Sequence, residues 1–205
     1  MRILGVDPGG TTGVCVFTDE HIGVGVGREE GGLQYGNSEL GWLLYYDEVV
    51  YLGANWRESE RLTVWALMGL VEQFQVDVVA CEDFILRDPS KGSGWSAKRV
   101  SLSPVRIAAQ LDILIEAMNS ATDETRLVEG TGWQQVGRQV AVVWQQASMA
   151  KSVMTDERLR SANLWLPGKQ HARDAVRHAV LAYKQLRDKG ARVTPTKKAR
   201  GTPKA

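Results

Sequence analysis

The feature that most constrains this chain is a carboxylate at the end of its first apolar run. Arg2-Ile-Leu-Gly-Val-Asp7 reads as a short buried strand that stops at the turn signal Pro8-Gly9-Gly10. Thr11 to Phe17 is a second β-rich run, so the two strands pair across a tight turn with Asp7 at its lip. An Asp there can be a mere turn former. It gains meaning from two others. Glu82 closes the compact apolar run Asp77 to Cys81, which suits the centre of a sheet covered on both faces. Asp174 lies on a predicted helix, His171 to Leu186, where His171, Asp174 and His178 share one face by the i, i+3, i+7 rule. If the two strands are parallel neighbours, Asp7 and Glu82 face one sheet edge and the helix completes a cluster. Three unneutralised carboxylates repel, and a divalent cation is the usual compensation. Hard oxygen ligands suit Mg²⁺ or Mn²⁺. Neither Cys15 nor Cys81 is spaced for zinc; both read as reduced thiols in apolar runs.

The remaining segments suggest an α/β order. From Asp19 to Gly41 the chain is glycine-rich, read as an irregular connection without a dinucleotide fingerprint; His21 there is given no role. Trp42 to Leu52 is a third strand. Glu58 to Phe74 has helical apolar spacing, and Pro104 opens another helix with Ser103 as its expected N-cap. Arg126 to Val128 is expected as a last short strand, Val136 to Met149 as a mixed, mainly helical segment, and Met154 to Leu164 as a helix. Early antiparallel strands followed by alternating helices and strands predict a mixed sheet with helices on both faces.

Charge is unevenly distributed. From Lys184 to the end there are eight Lys/Arg and one acidic residue, whereas the whole chain of 205 residues carries a net +1. The body is therefore mildly acidic and the tail basic. This excludes a globally basic, histone-like protein and fits a carboxylate-rich site with an arm able to touch phosphates. Residues 193–205 lack an apolar face and are expected to be disordered. No apolar window is long enough to span a membrane, and the N-terminus lacks a signal-peptide pattern; a cytoplasmic protein is expected.

Ile-Leu-Gly-Val-Asp-Pro-Gly, with the following Thr-Gly and second strand, resembles the opening of RuvC-type Holliday junction resolvases. Glu82 is similar to their second acidic position. His171-Ala-Arg-Asp174-Ala175 resembles their late helix. The resemblance implies a ribonuclease H-like α/β fold, with a mixed five-stranded sheet, over residues 1–186, followed by the basic tail 187–205. It also implies a crossover junction endodeoxyribonuclease working by two-metal hydrolysis in a bacterial cell or phage-infected host. Asp7 would bridge two Mg²⁺ ions, with Mn²⁺ able to substitute, and Glu82 and Asp174 would complete their shells. His171 would join the ligand shell or move a proton. The products would carry 5′-phosphate and 3′-hydroxyl ends. Four-way junctions, flaps or forks are the substrates implied, and two symmetric cuts call for a homodimer.

Contacts to DNA need cations and stacking surfaces. The loop after Glu82 offers Arg87, Lys91, Lys98 and Arg99, with Trp95 as a stacking or wedge residue and Phe84 close to the cluster. The resemblance also implies a phosphate-contacting lysine in a region comparable to that of Lys151, a weaker candidate than the loop residues. Arg138, Arg173 and Arg177 have no assigned place, and Trp133 and Trp144 are read as core. Two other readings remain open. Asp7-Pro-Gly-Gly-Thr11 also looks like the phosphate loop of the sugar-kinase and actin group, which would make the chain an ATP-binding phosphotransferase or ATPase. Alternatively, the fold could serve as a non-catalytic nucleic-acid-binding module.

Overall fold

A computed structural model describes residues 1–20, 35–37, 39–50, 53, 55–83, 103–121 and 139–188. The strands are β1 (Arg2–Asp7), β2 (Thr11–Thr18), β3 (Gly36–Asn37), β4 (Gly41–Val50), β5 (Val78–Glu82) and β6 (Ala141–Gln145). The helices are α1 (Trp56–Gln73), α2 (Ser103–Ala121), α3 (Ala147–Val153), α4 (Asp156–Ser161) and α5 (Gln170–Asp188). They form a six-stranded sheet in the order β3-β4-β2-β1-β5-β6. β1, β2, β4 and β3 pair antiparallel in succession, whereas β5 runs parallel to β1 and β6 parallel to β5. The sheet is mixed, as predicted, but has six strands rather than five among the described residues; β6 and the two-residue β3 are not predicted by the sequence.

Strand alternation divides the core between two faces. Ile3, Cys15, Phe17, Val78 and Ala80 pack against α5 and against Leu159, Leu164 and Leu166. Leu4, Val6, Val14, Val16, Val79 and Cys81 pack against α1 and α2. The helices α1 and α2 are also tied together by a buried carboxylate. Glu60 accepts two 2.7 Å bonds from the Arg106 guanidinium and one from the Ser103 hydroxyl. Both cysteines are buried free thiols, as predicted; burial pushes Cys15 up to about 12 and raises Cys81 as well.

Four local expectations are corrected. Residues 141–145 form a strand rather than part of a helix: the β-branched pair Val142-Val143 extends the sheet beside β5, and Asn119 fastens its entry with bonds of 2.9 and 2.8 Å to the Val140 N–H and carbonyl. The single helix expected over 154–164 is two short ones. The chain breaks at Met154, and the Thr155 hydroxyl caps α4 by accepting from Arg158 N. Ser103 is the first residue within α2 rather than its N-cap. Trp144, expected in the core, is 39% exposed on β6. The strand expected at 126–128, Trp133, Arg138, His21 and the tail beyond Asp188 lie outside the described residues.

Candidate active site

The sheet register brings the first two carboxylates together. β1 and β5 are parallel neighbours with Val6 opposite Cys81, so Asp7 and Glu82 stand one residue further on, side by side at the strands' carboxyl ends. Helix α5 covers them. It can lie this close because two strand residues have no side chain. A Cβ on Gly5 would stand 2.1 Å from the Ala175 carbonyl oxygen, and one on Gly13 would stand 2.0 Å from that of His171. Glu48 of β4 then holds the helix start: its Oε1 accepts from the His171 N–H at 2.8 Å and the Ala172 N–H at 3.4 Å. A carboxylate on unpaired first-turn N–H groups is favourable both as a cap and toward the helix dipole. Lys169, just before the helix, reaches Asp47 at 2.7 Å. The sequence reading missed Gly5, Gly13 and Glu48.

The face shared by His171, Asp174 and His178 is turned to this edge. His171 Nδ1 lies 2.9 Å from Asp7 Oδ2. His178 is buried, with Nε2 3.8 Å from Glu82 Oε2. Gln145 at the end of β6 sets the tautomer. Its amide satisfies three neighbours when its nitrogen faces His178 Nδ1 (3.0 Å) and the His178 carbonyl (3.1 Å) and its oxygen faces the Ala182 N–H (3.0 Å). Assigned from that network, Nδ1 accepts and the imidazole proton sits on Nε2, toward Glu82.

Crowded carboxylates cannot all ionise freely. Asp7 is pushed up to about 7, by burial first, then by its hydrogen bond with Glu82 and the charges of Glu82 and Asp174; His171 opposes the rise. Glu82 moves the other way. Burial works to raise it, but the contacts from His178 and Asp7 and the charge of Lys151 outweigh burial. The pair thus behaves as one protonated and one ionised acid sharing a site.

Asp174 is not unneutralised, contrary to the expectation for all three carboxylates. Its Oδ1 accepts from the Arg177 guanidinium, and its Oδ2 lies 3.2 Å from Lys151 Nζ. Among the described residues no three His, Cys, Asp or Glu side chains form a ready cage for a metal ion. The donors nevertheless fit a hard divalent cation in kind: adjacent carboxylate oxygens, one of them raised to about 7 chiefly by burial and then by its hydrogen bond with, and the charge of, the other. Beside Asp174 a cleft of about 390 Å³ opens, lined by Lys151, Thr155, Asp156, Gln170, Arg173 and Arg177. Of the residues expected to touch DNA, Lys151 borders this cleft. Phe84, Arg87, Lys91, Trp95, Lys98 and Arg99 lie outside the described residues.

A mixed sheet of this order, with helices on both faces, gives the chain a ribonuclease H-like α/β fold. Within that class, the chain has a RuvC-like fold. It is similar to the Thermus thermophilus RuvC structure, with a TM-score of 0.58 and 16% identity over 93% of this chain and 97% of that one. It is also similar to Thermus thermophilus RuvC in complex with Holliday junction substrate, with a TM-score of 0.54 and 16% identity over 92% and 96% of the two chains. No protein-family model and no curated protein matches the sequence. Among the described residues no helix is long and apolar enough to cross a membrane.

Proposed function

We propose that this chain is a divalent-metal-dependent endonuclease that cuts branched DNA, resolving Holliday junctions as a homodimer. The observation that carries the reading is the pairing of Asp7 and Glu82 at the ends of adjacent parallel strands, beneath the helix that bears His171 and Asp174. The likeness of the fold to RuvC, one structure of which holds a Holliday junction substrate, supports it. Asp7, Glu82 and Asp174 would hold two Mg²⁺ or Mn²⁺ ions, with His171 beside Asp7. When bound, the ions supply an activated water and stabilise the leaving 3′-oxygen, which gives 5′-phosphate and 3′-hydroxyl ends. The chain's own part is to aim the ligands. Gln145 and His178 direct an N–H at Glu82, His171 is placed to hold or pass a proton at Asp7, and Lys151 stands at the cleft where a phosphate would approach.

The test is cleavage of labelled four-way junction, flap and linear duplex DNA, each with Mg²⁺, Mn²⁺ or EDTA, beside Asp7→Asn and Asp174→Asn. Metal-dependent paired nicks on the junction, lost in both variants with DNA binding retained, are expected. Cutting of flaps alone would remove the junction assignment. Wild-type cutting by Asp7→Asn would remove the site.

A further inference from the structure

Asp174 is the one carboxylate of the cluster with cations on both oxygens, and the two cations differ in kind. Arg177 lies one turn along α5 and is 7% exposed. Its guanidinium spends all three nitrogens: Nη1 on Asp174 Oδ1, Nη2 on Asp156, and Nε on the Met154 carbonyl at 2.9 Å. A planar fork with three fixed partners has one orientation. The Met154–Thr155 break between α3 and α4 is what exposes that carbonyl and places Asp156 within reach. Lys151 is the opposite case. Its side chain is 55% exposed, and among the described residues it pairs with Asp174 Oδ2, at 3.2 Å. A flexible ammonium at the mouth of a cleft can be exchanged at little cost.

We infer that Arg177 is a positioning residue that locks Asp174 through Oδ1, leaving Oδ2 as the single exchangeable ligand position, which Lys151 holds until a divalent cation displaces it. This rests on the proposed function, in which Asp174 is a metal ligand. The arrangement accounts for the place of Lys151, whose ammonium pairs with Asp174 Oδ2 and whose charge also bears on Glu82. On displacement, Lys151 would turn into the cleft that Gln170 and Arg173 also line, where a phosphodiester could take it up.

The experiment is Mn²⁺ titration of the full-length protein, followed by the electron paramagnetic resonance of free Mn²⁺, with melting curves as the folding control. Arg177→Lys keeps the charge but cannot span three acceptors. It is expected to weaken Mn²⁺ binding about 10- to 100-fold, the usual effect of losing a partner that orients a ligand. It should also lower kcat on junction DNA with KM little changed. Lys151→Met should tighten Mn²⁺ binding, because nothing then needs to be displaced. Asp156→Asn loosens the clamp from its exposed side and carries the test if Arg177→Lys does not fold; several-fold weaker binding is expected. Wild-type Mn²⁺ affinity in folded Arg177→Lys, or in Asp156→Asn where that variant carries the test, overturns the clamp. Unchanged or weaker binding by Lys151→Met overturns the exchange. If wild type and Asp7→Asn bind Mn²⁺ alike, the proposed function itself fails instead.

Discussion

Asp7 shows at the scale of one residue how the site stores free energy. Its folded pKa, about 7, is raised above the ordinary 3.8, so the folded state binds the proton more tightly than the unfolded chain does. The sign follows: in the metal-free protein its contribution is intact below about pH 4 and is lost as pH rises toward 7. Asp7→Asn removes that loss. At pH 8 without metal it is expected to stabilise the fold by on the order of 2 kcal/mol, and at pH 5 by much less, measured by urea unfolding. Mg²⁺ should raise the wild-type melting temperature and leave that of the variant nearly unmoved. Asp7, Glu82, His171 and Asp174 were legible as a group because strand ends and helix periodicity are local patterns. Arg177 was visible but unplaced, since its partners Met154 and Asp156 come from a neighbouring turn that reads as continuous helix in sequence. Glu48 gave no signal at all. Its role depends on β4 ending beside the start of α5, and no local pattern encodes that.

At the scale of elements, the site depends on how closely α5 approaches the sheet. The atoms that a Gly13 methyl would meet belong to the helix backbone, which cannot rotate aside. Gly13→Ala is therefore expected to cost about 2–3 kcal/mol and to shift α5 outward, so that Mn²⁺ affinity falls even where the protein remains folded. Titration beside urea unfolding separates the two effects. Glu48→Gln keeps an acceptor but loses the charge at the helix start; a cost of about 1 kcal/mol is expected from the same unfolding measurement. The parallel and antiparallel strands near the acids were legible because buried runs and turn signals bound them. β6 was not. Its five residues lie among segments of helical composition, and its pairing with β5 determines its state more than its own propensity does.

Across the whole molecule, the proposed activity demands two sites and a long charged substrate. Equilibrium sedimentation of the full-length chain is expected to give a dimer, and the two nicks on a junction should be paired. Junction affinity should fall steeply with salt and fall further when residues 190–205 are deleted, as phosphate contacts are lost. The clasp between Glu48 and α5 has a kinetic consequence. Asp7 and His171 are 164 residues apart in the chain, and Glu48 and His171 are 123 apart. In a chain made from its N-terminus these pairings come after those of β1, β2 and β5. A chain still leaving the ribosome can assemble β1, β2 and β5 and already set two acids side by side, yet it lacks the helix that aims them. On the proposed function, competence to cut would therefore arrive only with that last long-range contact, and a half-made copy would be inert toward DNA.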